Sequence, residues 1–308
     1  MPTSPWIVLA AAAVEALVGY PRALHRRVPH PVVWIGALIS RLEAGLNRPI
    51  WSDATRRMAG GVTLAIIVLV SGLAGWLLAR FCGPYVIALV GTLGLAQRSL
   101  YQHVVAVLRP LQDGDLVAAR EAVAMIVGRD VASLDAGGIA AAAIESLAES
   151  FNDGVVAPIF WFVVAGLPGL FVYKAVNTAD SLIGHREPRW RAFGWASARF
   201  DDLLNLAPAR LAGVLIALAG RGGWSVMLRD AGKHASPNAG WPEAAMAGAL
   251  GVRLGGAAWY DGERSDRPVF GDGREVGAED LPRALRIYLA ACAILWLLLA
   301  LGGLAWPR

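Results

Sequence analysis

The sequence predicts an all-α, polytopic integral membrane protein with about four to six membrane segments, some short or re-entrant, and helical cytoplasmic loops. Only 17% of the 308 residues are charged, against about 25% in an ordinary soluble domain. The chain is 56% hydrophobic and its mean hydropathy is +0.50. Charge-free runs also recur at about the 20 residues that a helix needs to cross a bilayer. This composition excludes a disordered chain, a coiled coil and a disulfide scaffold.

The apolar runs, taken in order, give the membrane map of a single membrane-embedded domain over residues 1–308. The first run is interpreted as a retained helix, because no positive residue precedes it and no clean cleavage site follows it. A tight turn near Arg80 joins the second and third runs. The predicted membrane segments lie near 5–19, 59–79, 81–97, 154–173, 206–220 and 287–307. The polar regions expected to form a site are 98–153, 174–205 and 221–286.

Basic residues in loops predict the orientation, because cytoplasmic loops are rich in Lys and Arg. The loop Tyr20–Met58 holds arginines at positions 22, 26, 27, 41, 48, 56 and 57, so it is expected in the cytoplasm. A simple crossing by 154–173 would place the basic stretch 174–204 outside. That run also contains Pro158 and Pro168, and proline breaks the helical ladder. A bent or re-entrant segment is therefore favoured over a straight crossing, which stays open.

Helix-start signals recur in the polar region 98–153. Asp115 can cap a helix over Leu116–Val127, and Asp135 or Ala136 precedes a second helix that runs through Ser150.

The first polar cluster contains Glu145 and Glu149, four residues apart and so on one face of a helix. Two like charges at that spacing repel unless a cation lies between them. Asn152 and Asp153 extend the same edge where an apolar run begins. The functional interpretation is a Mg²⁺ or phosphate–metal site. The alternative is a solvated helix face.

The second cluster is a polar stripe over 174–185, with spacings of three, four and four residues. Its residues are Lys174, Asn177, Ser181 and His185, with Asp180 adjacent. They supply a cation, donors, acceptors and a titratable group, which favours a site over a solvated stripe. A third cluster, Asp201 and Asp202, could cap a helix or hold a metal.

The fourth cluster, 233–243, contains two prolines, a glycine and an asparagine and is predicted to be a structured turn. His234, Ser236 and Asn238 in this turn suit an anion or an amide-rich ligand. In the purely structural alternative, Ser236 or Asn238 caps the next helix. The usual nucleotide motifs are absent, so any nucleotide would bind at a non-standard site. Nucleic-acid binding is not expected, because Arg is spread along the loops without a basic run.

The chain resembles the cobalamin-biosynthesis CobD/CbiB family of membrane proteins over roughly residues 20–262. The matching stretches are His30–Gly36, Arg98–Leu100, Gly114–Leu116, Ile126–Asp130, Glu145–Glu149, Asp153–Pro158, Tyr173–Lys174, Asn177–Ser181, Gly184–Arg186, Asp201–Asp202, Pro208–Arg210 and Ser236–Val252. The chain departs from the family pattern at Val131, Ala141, Ser150 and Asn152.

The resemblance implies an adenosylcobinamide-phosphate synthase, an ATP-dependent enzyme that joins adenosylcobyric acid to aminopropanol or its O-phosphate as an amide. The implied cofactors are ATP and Mg²⁺. The implied location is the cell (inner) membrane, with a multi-pass topology and the active site facing the cytoplasm. The lipid bilayer and other cobalamin-pathway proteins are expected partners. The alternatives are a non-catalytic transporter or sensor, and a structural partner for another enzyme.

The candidate site residues combine the polar clusters with the family stretches. The predicted catalytic residues are Glu145, Glu149, Asp153, Lys174, Asn177, Asp180, Ser181 and His185. The predicted substrate-binding residues are Arg98, His103, Arg129, Asp130, Arg186, Asp201, Asp202, His234, Ser236 and Asn238. The predicted Mg²⁺ ligands are Glu149, Asp153 and Asp180. Lys174 or an arginine is a hypothetical phosphate-binding group, and His185 or an aspartate is a hypothetical acceptor of the amine proton. The clusters at 145–153, 174–186 and 233–243 are predicted to converge on one cavity.

Overall fold

A computed structural model describes residues 2–20, 29–185, 187–260 and 262–306, most of them helical. The helices in the first half are Pro5–Val18 (α1), Pro31–Leu46 (α2), Asp53–Phe81 (α3), Pro84–Gly91 (α4), Gln97–Gln112 (α5), Leu116–Ala124 (α6) and Ala136–Phe151 (α7). Those in the second half are Ala157–Ile183 (α8), Trp195–Ala219 (α9), Trp224–Asp230 (α10), Gly240–Leu250 (α11) and Asp280–Leu304 (α12). Short strands lie at Leu254–Gly255 (β1), Ala258–Tyr260 (β2), Glu263–Ser265 (β3) and Val269–Phe270 (β4).

The predicted helix caps are present in the structure. The Asp115 carboxylate accepts a hydrogen bond from the Ala118 amide at 3.0 Å, and that of Asp135 accepts one from Gly138 at 2.8 Å. These bonds satisfy amide groups that have no partner inside the helix. Helix α6 ends at Ala124, three residues earlier than predicted.

Among the described residues, four helical stretches are long and apolar enough to cross a membrane. They are Asp53–Phe81, Ala136–Ile183, Trp195–Ala219 and Asp280–Leu304, and α1 is a shorter apolar helix. Large apolar side chains such as Leu69, Leu73 and Trp76 on α3 are more than half exposed, which suits a surface that faces lipid. The protein is therefore a polytopic membrane protein, as the sequence predicts, with two small sheets that it does not predict.

The predicted crossing over 81–97 is not a single helix in the structure. Helix α3 ends at Phe81, and the eight-residue α4 is followed by a 3₁₀ turn over Thr92–Gly94. Eight residues rise about 12 Å, far short of about 30 Å of hydrocarbon. Glycines at positions 91 and 94 let this segment pass close to the Phe162 and Leu170 side chains. The segment is thus a packed element of the protein rather than a spanning helix.

The predicted cytoplasmic loop 20–58 contains helix α2 and the start of α3. Its arginines at positions 22, 26 and 27 lie outside the described residues.

Helix α8 is bent at Gly166, whose backbone has φ 67° and ψ −158°. This conformation is essentially restricted to glycine, because a Cβ atom would clash with the backbone. Pro168 follows two residues later and cannot donate to the helical ladder. The segment predicted to be bent or re-entrant is therefore bent.

The chain divides into two compact units, whereas the sequence analysis treats it as one domain. The first unit comprises Met1–Ala96, Ala157–Asn205 and Leu299–Arg308. In it, α3 packs along α8 and α2 packs on both. Its core includes Ile39, Ile67, Ile183 and Phe193. Gly60 of α3 lies directly against the Phe193 backbone, so the two segments can approach only because position 60 has no side chain.

The second unit comprises Gln97–Val156 and Leu206–Leu298. Helices α5, α6 and α7 pack together, and α11 packs on α7 and α10. The strand pairs are antiparallel, with Leu254 opposite Phe270 in β1–β4 and Ala258 opposite Ser265 in β2–β3. Within the polar region 221–286, β2–β3 is therefore a hairpin that the β1–β4 pair encloses.

A buried carboxylate, Asp230, fastens the strand region to α10. It pairs with Arg229 at 2.8 Å and Lys233 at 2.7 Å and accepts a hydrogen bond from the Gly271 amide at 2.8 Å. The hydrogen bond from Arg229 outweighs the opposing effect of burial and holds the pKa of Asp230 well below its usual value. Asp230 therefore stays ionised and joins two segments that are 41 residues apart.

Candidate functional site

A polar cavity of about 150 Å³ lies within the second unit. Its walls come from the loop after α6, from one face of α7, from the start of α11 and from the strand region. We call it the glutamate–arginine cavity after its charged lining residues, which are Arg129, Glu145, Glu149, Glu243 and Arg267. The remaining lining residues are Ile126, Val127, Gly128, Ala142, Ser146 and Tyr260.

Helix α7 presents three polar residues to this cavity because positions 145, 146 and 149 lie on neighbouring parts of its surface. The Ser146 hydroxyl donates a hydrogen bond to the Ile126 carbonyl at 2.8 Å and so holds the loop 126–130 against the helix. Small residues such as Ala143 and Ala244 are fully buried in these helices. Small side chains permit close helix packing, which brings Glu243 of α11 to the same cavity.

Glu145 is the centre of an ion-pair network. Its carboxylate accepts hydrogen bonds from Arg267 at 2.6 Å and from the Gly255 amide at 2.9 Å. Arg129 approaches it to 3.5 Å. Glu145 and Arg129 are both more than nine-tenths buried, so these contacts replace lost water contacts. Glu145 is thus positioned to orient two guanidinium groups.

Glu243 is the least solvated acid of the cavity, at 4% exposure. Burial raises the pKa of Glu243 well above its usual value, and the charges of Glu149 and Glu145 raise it further. Arg267 and Arg129 act in the opposite direction. The nearest ion-pair contact is His234 Nε2, at 3.9 Å. Glu243 belongs to the 233–243 cluster but is not among the predicted site residues.

Arg267 and Tyr260 also line the cavity but are not among the predicted site residues. Both lie in the strand region, where several charged residues follow one another without a distinguishing pattern. Burial lowers the pKa of Arg267, but the charge and hydrogen bond of Glu145 outweigh burial and raise it above the usual value. No local sequence signal separates Arg267 from its exposed neighbour Arg264.

Asp130, predicted to bind substrate, holds the β2–β3 hairpin in place. Its amide donates to the Trp259 carbonyl at 2.8 Å, and its carboxylate accepts from the Gly262 amide at 2.9 Å. These bonds fix the hairpin that carries Tyr260 next to the loop that carries Arg129. The predicted substrate-binding role of Asp130 stays a prediction.

The predicted stripe and the Asp pair lie in the first unit, where they form a second polar group. We call Tyr173, Asn177, Asp201 and Asn205 the amide face. The Asn205 side chain donates to Asp201 at 3.0 Å and accepts from the Tyr173 hydroxyl at 3.1 Å. Asn177 lies 3.5 Å from Asp201. The amide face thus joins α8 to α9 through hydrogen bonds between side chains.

The N-cap alternative for Asp201 and Asp202 is wrong, because α9 already begins at Trp195. Asp202 instead pairs with Arg199 at 3.4 Å, one helical turn earlier. Lys174 is half-buried on α8, and Ser181 bonds to the Asn177 carbonyl at 2.9 Å. None of these contacts tests the chemical roles predicted for Lys174, Ser181, Asp201 and Asp202, which stay predictions.

The remaining predicted residues are spread over both units. In the first unit, half-buried Asp180 lies against Gly184, and His185 is exposed with its ring 5.5 Å from that of Trp190. Arg186 lies outside the described residues.

In the second unit, Arg98 and His103 lie on α5, and Asp153 accepts a hydrogen bond from Asn152 at 2.8 Å. His234, Ser236 and Asn238 form the predicted turn. In this turn, the Ser236 amide donates to His234 at 2.9 Å and the Asn238 amide donates to Ser236 at 3.2 Å. Helix α11 begins at Gly240, earlier than the predicted end of the turn, and has no side-chain cap.

The structure brings two of the three predicted clusters, 145–153 and 233–243, together at the glutamate–arginine cavity. The described residues contain no group of three or more His, Cys, Asp or Glu that could hold a metal by themselves. Glu149 borders the cavity and is exposed, so it can offer one carboxylate to a cation that substrate oxygens complete.

Comparison of the sequence with known proteins identifies a family. The profile described as CobD/Cbib protein matches residues 8–288. A Cobalamin biosynthesis protein CobD from Rhodobacter capsulatus is 48% identical, with 97% of this chain and 98% of the relative covered. Proteins of the same name from a Sinorhizobium species and from Brucella suis are 46% and 43% identical. The Sinorhizobium comparison covers 94% of this chain and 95% of the relative, and the Brucella one covers 94% of both.

No solved structure gives a significant match. The family match nevertheless spans both units, including all the charged residues of the glutamate–arginine cavity. The chain therefore belongs to the CobD/Cbib protein family.

Proposed function

We propose that the chain acts in cobalamin biosynthesis as an adenosylcobinamide-phosphate synthase. The reaction joins the free carboxyl group of adenosylcobyric acid to the amine of (R)-1-amino-2-propanol, or of its O-phosphate, at the expense of ATP. The names of the relatives support the pathway. The observation that carries the proposal is the glutamate–arginine cavity, which offers both signs of charge in a small, partly buried space.

The chemistry of an amide ligation suits these charges. A carboxyl group must be activated by a phosphate donor, and guanidinium groups bind phosphate oxygens with charge-assisted hydrogen bonds. Arg129 and Arg267 each have five N–H donors, and Glu145 occupies only part of that set. Glu145 therefore orients the two guanidiniums, while their remaining donors can face an anionic group.

The Mg²⁺ that the resemblance implies fits one carboxylate of the cavity. Mg²⁺ binds through one or two carboxylates and completes its shell with water and substrate phosphates. Glu149 would hold it, and the ion would neutralise charge on the phosphate donor. Asp153 and Asp180 remain predicted ligands. The proposed active site faces the cytoplasm from the cell (inner) membrane, where other cobalamin-pathway proteins are possible partners.

The test is a reconstitution with the full chain purified in detergent. We expect an amide product and ATP consumption only when adenosylcobyric acid, the amine and Mg²⁺ are all present. Parallel assays with free and phosphorylated aminopropanol identify the amine substrate. ATP-independent corrinoid uptake into proteoliposomes, without an amide product, would favour the transporter alternative.

A matched pair of variants connects the reaction to the cavity. Arg267→Gln removes a guanidinium that lines the cavity, whereas Arg264→Gln removes an exposed one that pairs with Asp266. We expect the first variant to lose at least tenfold in kcat/KM and the second to retain wild-type activity. Equal activity of both variants would show that the cavity does not take part in the reaction.

A further inference from the structure

The glutamate–arginine cavity contains a carboxyl group that the protein itself does not satisfy. Glu243 is 4% exposed and lines the cavity. Among the described residues no group donates a hydrogen bond to its side chain, and its ion-pair contact with His234 is 3.9 Å long. A buried polar group without a hydrogen bond is costly. A carboxyl group kept in such a place is expected to serve a ligand.

The cavity beside Glu243 has room for a ligand. Its volume of about 150 Å³ exceeds the roughly 10–15 Å³ that one water molecule needs, so the cavity has room for a small ligand or for one end of a larger one. The amino alcohol is the smallest of the proposed substrates and can enter beside Glu243.

The charges of the cavity indicate the part of the ligand that Glu243 contacts. Glu145 lies between Arg129 and Arg267, so this trio carries one net positive charge. Glu149 and Glu243 add two carboxyl groups, so the cavity lining has three carboxyl groups for two guanidiniums. Burial favours the neutral form of Glu243, and a cation such as an ammonium group bound beside it would favour the ionised form.

We propose that Glu243 forms a subsite for the ammonium group of a small primary amine. This inference rests on the proposed function, in which that amine is aminopropanol or its O-phosphate. Glu149 adds negative charge beside the subsite, and Tyr260 closes the same cavity from the hairpin. An ammonium group would donate hydrogen bonds to the Glu243 carboxylate and stabilise its ionised form.

The experiment is equilibrium binding of radiolabelled aminopropanol to the full chain in detergent, without ATP or corrinoid. We expect saturable binding to the wild-type protein and at least tenfold weaker binding to Glu243→Gln. Glu243→Asp keeps the charge and should show a smaller loss. Glu121→Gln, which changes an exposed glutamate on α6, is the matched control and should bind like the wild type. Propane-1,2-diol, which lacks the ammonium group, should not compete.

Thermal unfolding separates the proposed subsite from a purely structural role of Glu243. If Glu243 serves a ligand, Glu243→Gln should unfold at the wild-type temperature or above, because the substitution removes a buried acid that accepts no hydrogen bond. A structural role would instead lower the unfolding temperature. Unchanged amine binding by Glu243→Gln would overturn the subsite. A shifted Mg²⁺ requirement with unchanged amine affinity would also overturn it and would assign Glu243 to a metal.

Binding and turnover separate the subsite from the proposed function. Turnover with aminopropanol by a wild-type protein that shows no amine binding before ATP and corrinoid are added would overturn a preformed subsite and leave the function standing. Glu243-dependent amine binding without any amide product would support the subsite and contradict the proposed reaction.

Discussion

The glutamate–arginine cavity and the amide face both hold polar side chains inside an apolar protein, but different kinds of hydrogen bond stabilise them. In the cavity, Glu145 is held by ionic hydrogen bonds as short as 2.6 Å. In the amide face, the Tyr173 hydroxyl and the Asn205 amide share a neutral bond of 3.1 Å. Ionic bonds are stronger but leave a buried charge when one partner is lost. We therefore expect equivalent substitutions in the two regions to lower the free energy of unfolding by different amounts.

The largest effect is expected at the centre of the cavity. Glu145→Gln leaves the buried Arg129 and the half-buried Arg267 without their carboxylate, and breaking such a network costs about 3–5 kcal/mol. We expect the free energy of unfolding in detergent to fall by that amount and ligation activity to be lost. Glu121→Gln should change the free energy by less than about 0.5 kcal/mol. A loss below about 1 kcal/mol for Glu145→Gln would show that the network does not hold the hairpin.

The contribution of Asp230 to the free energy of unfolding depends on pH. Its pKa is lower in the folded than in the unfolded protein, so the folded state binds fewer protons in acid. The stabilisation from Asp230 is present above about pH 4 and is lost as the pH falls further. Asp230→Asn should cost about 2 kcal/mol at neutral pH and flatten this part of the acid profile. Chemical unfolding from pH 3 to pH 7 measures both, with exposed Asp113→Asn as the control.

A smaller effect is expected in the amide face. Tyr173→Phe removes one neutral hydrogen bond to Asn205 and leaves that amide with its contact to Asp201, at a cost of about 1 kcal/mol. The cost should be equal at pH 4 and pH 7, because neither group of this bond ionises there. Tyr101→Phe, at a more exposed tyrosine, should be neutral. A cost as large as that of Glu145→Gln would contradict the distinction between the two regions.

The two regions also differ in how far the sequence predicts them. The face of α7 with Glu145 and Glu149 follows from a four-residue spacing, and the stripe that begins at Lys174 follows from helical periodicity. Such periods describe contacts within one helix. Arg267 meets Glu145 across 122 residues, and the Gly255 amide meets it across 110. No local pattern specifies those contacts, so the sequence predicts Arg129, Glu145 and Glu149 but misses Glu243 and Arg267.

The membrane segments show the same limit. Apolar runs predict where long helices lie, because length and hydropathy are local properties. The run 81–97 has the right composition but becomes a short helix and a turn. Close contacts of its glycines with Phe162 and Leu170 involve residues about 70 positions away, so tertiary packing overrides the local preference.

The bend at Gly166 has a consequence for how this chain is made. Membrane insertion responds to the hydropathy of a window of about 19 residues, and 154–173 carries no charge in that range. The insertion machinery should therefore take up this run as one continuous apolar segment. The glycine conformation, by contrast, is a property of the folded helix. We expect the segment to enter the bilayer first and to acquire its bend afterwards, as a late step of biogenesis in which neighbouring helices supply the contacts that hold it.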